Sequence, residues 1–132
     1  MSDQLQYAFI LLIIFQIKHF LGDFVFQTNW MVAGKARADL SYLFPLTVHV
    51  LVHAVQTAII VLIVSPALWG LAIFDFAVHF VMDRIKSGPR YLGRYNDVSK
   101  SSFWICLGFD QMVHHLTHFA IVWWILLYRA AT

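Results

Sequence analysis

The chain has 132 residues, 61% hydrophobic, 17% aromatic and 12% charged, with a formal net charge of +2 and a mean hydropathy of +0.72. Soluble domains carry about twice that share of charged residues, so the composition excludes a disordered chain, a nucleic-acid-binding module and an ordinary soluble enzyme. One cysteine, Cys106, leaves no internal disulfide and no cysteine-based metal cluster, and it reads as a small packing residue.

What remains is an all-α polytopic membrane protein with a single transmembrane domain over residues 1–132. A helix needs about 20 apolar residues to cross the hydrocarbon layer. Four runs qualify, at about 5–27, 45–64, 67–86 and 102–128, and they predict a bundle of four transmembrane helices. The first lacks a basic leader and a small-residue cleavage site, so it reads as a span and not as a signal peptide. The connection over 28–44 holds Trp30, Met31 and Tyr42 among basic residues and reads as an amphipathic interfacial segment. Ser65-Pro66 separates the second and third runs, and Ser87-Gly88-Pro89 ends the third. Trp30, Tyr42, Trp69, Trp104 and Tyr128, near the span ends, read as interfacial anchors.

Charge sets the expected orientation. Lys35, Arg37, Arg84, Lys86, Arg90, Arg94 and Lys100 lie in the two connections that share one side, against Arg129 near the other. That asymmetry places both connections in the cytoplasm and both termini outside. Lys18 lies inside the first span and is expected to snorkel or to pair locally.

The acidic residues are seven aspartates without a glutamate, and there are seven histidines. Residues four apart share a helix face. His19 and Asp23 form such a pair in the first run, followed by Gln27; His49 and His53 form one in the second. Asp75, His79 and Asp83 repeat it in the third, followed by Lys86, and Asp110, His114 and His118 in the fourth, beside Gln111 and His115. Counting from the cytoplasmic ends, Asp23, His49, Asp83 and Asp110 fall in one layer. His19, His53, His79 and His114 fall about one turn, ~6 Å, deeper. Asp75, His115 and His118 fit these layers less well, and their roles stay open.

An aspartate at the centre of a span costs roughly 2.5–3.5 kcal/mol, so the set demands compensation. Imidazole and carboxylate are ligands for zinc and other divalent first-row metals, and bundles build two-metal sites from such stripes. The expected ligands are His19, Asp23, His49, His53, His79, Asp83, Asp110 and His114, for one or two divalent ions, zinc first. Asp83 or Asp110 is the candidate general base. Gln27, Gln111, Lys35 and Lys86 are candidates to orient or neutralise a phosphate or acyl oxyanion. Lys35 and Lys86 have a plainer reading as orientation determinants. The expected activity is metal-dependent hydrolysis of a lipid or lipid-linked phosphate from the cytoplasmic leaflet. Two rivals are haem binding for electron transfer, through His49 or His53 with His114, and metal or proton transport. Apolar outer halves disfavour a through-path unless homo-oligomers form one.

The segments His19 to Gln27 (HFLGDFVFQ), Lys35, Pro45 to His49 (PLTVH), His79 to Lys86 (HFVMDRIK) and Phe109 to His114 (FDQMVH) carry a resemblance. Over nearly its full length the chain resembles the bacterial integral-membrane family called domain of unknown function 3307. The resemblance implies a multi-pass protein of the bacterial inner membrane and no established activity. A looser similarity to inner-membrane proteins classed as metal-dependent hydrolases adds to the hydrolase expectation by analogy.

Overall fold

Helices end where proline and glycine interrupt the apolar runs. The computed structural model describes residues 3–132, and among them there are five α-helices and no strand. They are α1 (Asp3–Phe20), α2 (Asn29–Lys35), α3 (Leu43–Val64), α4 (Gly70–Ser87) and α5 (Ser101–Ala131). Ser65 closes α3 and Pro66 opens a single 3₁₀ turn before α4. Gly88 caps α4, donating its N–H to the Arg84 carbonyl at 2.8 Å.

The sequence reading has four helices and the structure has five, because the 28–44 connection folds onto the bundle. Thr28 caps α2 by accepting from the Met31 N–H at 3.4 Å, and α2 buries Met31, Gly34 and Lys35. Its packing partner is α3, where a Cβ on Gly34 would overlap the Pro45 ring. Arg84 holds the far end: its guanidinium donates to the carbonyls of Lys35 (3.1 Å) and Arg37 (3.0 Å) and lies 3.5 Å from the Tyr42 ring centroid.

The four long helices run alternately up and down. Each packs on two neighbours, α1 on α3 and α5, and α4 on α3 and α5. Asp3–Val25, Leu40–Val64 and Pro66–Arg94 are long and apolar enough to cross a membrane. Helix α5 is the longest, but Gln111, His114, His115 and His118 lower its hydropathy, so composition alone does not mark it as a span.

The two halves of the bundle have different interiors. Leu11, Phe15, Val61, Ile121, Val122 and Ile125 form a dry apolar core at the end where α1 begins and α5 ends. The other half is polar inside and apolar outside. Six histidines and four aspartates are buried there, while Ile17, Phe20, Phe24, Leu51, Val81 and Phe109 lie on the surface. Burying charge while exposing large hydrophobes inverts the pattern of a soluble protein and fits a hydrocarbon surround.

Candidate metal centre

Helix α1 does not end cleanly at Phe20. It continues as a π-helical turn, Leu21–Val25, closed by Phe26 N–H donating to the Leu21 carbonyl at 2.8 Å. Such turns carry one extra residue and recur at functional sites. This one presents Asp23 to the bundle axis and brings Gly22 against His53, whose ring a Cβ at position 22 would overlap. Gln27, one turn on, donates to the Asp23 carbonyl at 2.8 Å.

Around Asp23 stand three imidazoles from two helices. Its Oδ1 is 3.0 Å from His53 Nε2 and 3.5 Å from His49 Nε2, and its Oδ2 is 3.4 Å from His19 Nε2. Neither ring nitrogen of His49 or of His53 has a hydrogen-bond partner. Two atoms that share a tetrahedral zinc ion lie roughly 3.3 Å apart, the edge set by ~2.0–2.1 Å bonds. The His49 and His53 pairs with Asp23 lie near that separation without the geometry of a hydrogen bond, as co-ligands would, whereas His19 Nε2 also meets the Gln111 carbonyl oxygen.

The remaining ligand candidates continue the arrangement. Asp83 Oδ2 lies 3.5 Å from His49 Nε2 and 4.0 Å from His114 Nε2, and Asp110 Oδ1 lies 3.7 Å from His114 Nδ1. His79 sits between His53 and His114, with ring centroids 4.2 and 4.1 Å away. His19 is 5.5 Å from His114 and 5.9 Å from His53, centroid to centroid. Two of the groups able to hold a metal ion share Asp23: Asp23, His49 and His53, and His19, Asp23 and His114. His79 Nε2, both nitrogens of His114, Asp83 Oδ2 and Asp110 Oδ1 also lack hydrogen-bond partners. Each orphaned buried atom costs about 1–3 kcal/mol, so a cluster of them calls for something that takes the lone pairs. The donor set fits divalent first-row metal ions.

The lysines divide the carboxylates. Lys18 Nζ is 2.8 Å from Asp75 Oδ2, Lys35 Nζ is 2.8 Å from Asp83 Oδ1, and Lys86 Nζ is 3.7 Å from Asp110 Oδ2. Asp23 is the one buried aspartate here without a lysine within ion-pair distance, and it faces the histidines instead. Lys18 and Lys35 are both buried, which corrects the sequence reading of Lys18. Lys18 neither snorkels nor pairs locally; it reaches from α1 to Asp75 on α4, where Thr57 also donates at 2.6 Å. Lys35 is enclosed, and its ammonium bridges Asp83 and the Gln27 carbonyl oxygen, the latter at 2.5 Å.

Asp75, His79 and His118 form a further group with metal-ligand spacing. The ammonium of Lys18 already sits there, on Asp75 and 3.3 Å from His118 Nε2. A built-in cation thus fills that position. Asp75 Oδ1, 3.1 Å from His79 Nδ1, is placed to orient the His79 ring from behind, as outer carboxylates do for metal-bound histidines. Nothing in the local spacing of Lys18 or Lys35 signals these pairings, since both partners come from distant segments. Gln111 links the layers, donating to Asp23 Oδ2 (3.0 Å) and Asp110 Oδ2 (3.2 Å) while its carbonyl oxygen meets His19 Nε2 at 2.8 Å. His115 is only half-buried and lies beside His19, 5.0 Å between ring centroids.

Fold and site together define a class: helical bundles with a dry half and a half filled by buried histidine and aspartate. Residues 11–131 match the family described as "Protein of unknown function (DUF3307)", and the chain belongs to it. No curated protein and no solved structure matches it.

Proposed function

We propose that the protein is a metal-dependent hydrolase of the bacterial inner membrane, working at the cytoplasmic leaflet on a lipid or lipid-linked phosphate. The observation that carries the metal is Asp23, a buried carboxylate with three imidazole nitrogens at 3.0–3.5 Å and no lysine of its own. Asp23, His49 and His53 would hold one ion, and Asp23, His19 and His114 could hold a second, with zinc the first candidate. Such ions supply Lewis acidity, polarising a phosphoryl or acyl oxygen and acidifying water at neutral pH.

The chain's own residues take the other roles. Asp83 and His79 complete the donor set. Asp110, held 3.7 Å from Lys86, stays off the ions and accepts the proton of the attacking water. Gln27 and Lys35 fix Asp23 and Asp83, and Gln111 sets Asp23 against Asp110. Helix α5 is taken as the fourth crossing, a reading supported by its packing against both α1 and α4. Both termini are then extracytoplasmic, and α2 and the 88–100 loop cytoplasmic.

Two features favour this reading over its rivals. His79 lies between His53 and His114 at stacking distance, leaving no slot for a macrocycle between those rings. The apolar core at the terminal end closes the bundle against a through-path for ions. Elemental analysis with a visible spectrum tests the proposal: stoichiometric transition metal and no Soret band are expected. A haem spectrum with no other metal would overturn it. Hydrolysis is then sought with a panel of phospholipids and polyprenyl phosphates.

A further inference from the structure

A cavity of about 280 Å³ lies between α2, the C-terminal end of α4, the 92–96 loop and the first turns of α5. Its polar lining includes Lys35, Lys86, Ser87 and Asn96, and its apolar lining includes Phe103; Cys106 is also on its wall. The two lysines are the same groups that pair with Asp83 and Asp110, so the cavity and the histidine cluster stand on opposite sides of those ion pairs. The Lys86 side chain is 28% exposed and only loosely held, 3.7 Å from Asp110. A fully engaged ammonium-carboxylate pair closes to about 2.7–2.9 Å, so Lys86 has donors to spare. Lys35, held by two short contacts, has three donors in all and keeps one.

We infer that this cavity is the head-group pocket: it takes a phosphate monoester on Lys86 and Lys35, with the rest of the molecule against its apolar wall. At about 280 Å³ the cavity lies at the lower end of the ~300–1,000 Å³ of small-molecule pockets, which suits a head group. An anion fits because two ammoniums and the Asn96 amide reach the wall and, among the described residues, no carboxylate lines the cavity. The inference rests on the metal-centre reading for what the bound phosphate meets beyond the lysines.

The chain's own Cys106, its single cysteine, supplies the reporter. The full chain is reconstituted in phosphatidylcholine vesicles, and the rate of Cys106 modification by a small uncharged methanethiosulfonate is measured. Two additions are compared, inorganic phosphate in solution and phosphatidic acid in the bilayer, with bound metal measured on the same samples. Protection of Cys106 by at least one is expected; phosphate alone marks a soluble ligand, and phosphatidic acid marks a lipid. Lys86→Gln should raise the concentration needed roughly tenfold, the loss of one charge-assisted hydrogen bond. Leu107→Trp, which fills the cavity from α5, should abolish the protection while leaving both lysines in place. A modification rate unchanged by either addition overturns the pocket whatever the metal content. Protection that persists unaltered in Leu107→Trp overturns it too. Protection in protein whose metal is at background keeps the pocket and removes the metal reading.

Discussion

Asp23 differs from the other buried aspartates by the company it keeps. Asp75, Asp83 and Asp110 each have an ammonium on one oxygen, whereas Asp23 has imidazoles on both. Asp23→Asn preserves shape and the Gln111 contact but removes the charge that a cation needs. Its metal content should fall to background while helix content by circular dichroism stays within error of the parent. Full metal loading in Asp23→Asn would move the centre elsewhere. Lys18 and Asp75 make the contrasting case, because their pair already balances itself. Removing one partner leaves an uncompensated charge in the bundle, at about 3–5 kcal/mol, whereas removing both leaves none. Lys18→Met and Asp75→Leu should each lower the midpoint of thermal unfolding in detergent sharply. The double variant should recover much of the loss, and simple additivity would show that the two residues are not coupled.

At the scale of elements, the π turn and α2 are what bring the site together. Gly22→Ala keeps, and even raises, local helix propensity, yet its methyl group would overlap the His53 ring. Metal affinity should therefore drop while α1 stays helical; unchanged affinity by competition with a chelator would show that His53 is free to shift without consequence. The four-residue spacing made the inward faces readable, because a helix's own geometry fixes which residues share a side. His19 with Asp23, His49 with His53, and Asp110 with His114 needed nothing from other segments. Spacing says nothing of how one helix is rotated against the next, so the reach of Lys18 to Asp75 across 57 positions was not legible. Nor was the inward fold of 28–44, a segment of mixed polarity whose helix is only seven residues long. Its place depends on Arg84 and Pro45, residues of two other helices. The π turn was hidden for a related reason, since no residue type in Leu21–Val25 marks it.

For the whole molecule, the four crossings proposed above would put residues 3 and 132 on one face. Cysteine introduced at Lys100 and at Thr132, in a Cys106→Ser background, should react differently with an impermeant maleimide in intact cells. Position 132 is expected to be labelled and position 100 only after lysis. Labelling at 100 from outside would reverse the orientation and move the proposed access side.

The Lys18–Asp75 pair also bears on how the chain is made. If α1 enters a bilayer as proposed, Lys18 enters with it, and its ion-pair partner Asp75 arrives only with α4. Until α4 is synthesised, such an intermediate would carry an ammonium in its first helix without its ion-pair partner. On the proposed topology, stable insertion is expected to wait for Asp75. Nascent chains arrested before that residue should remain extractable from the membrane or held by insertion machinery, and chains arrested after α4 should have become integral.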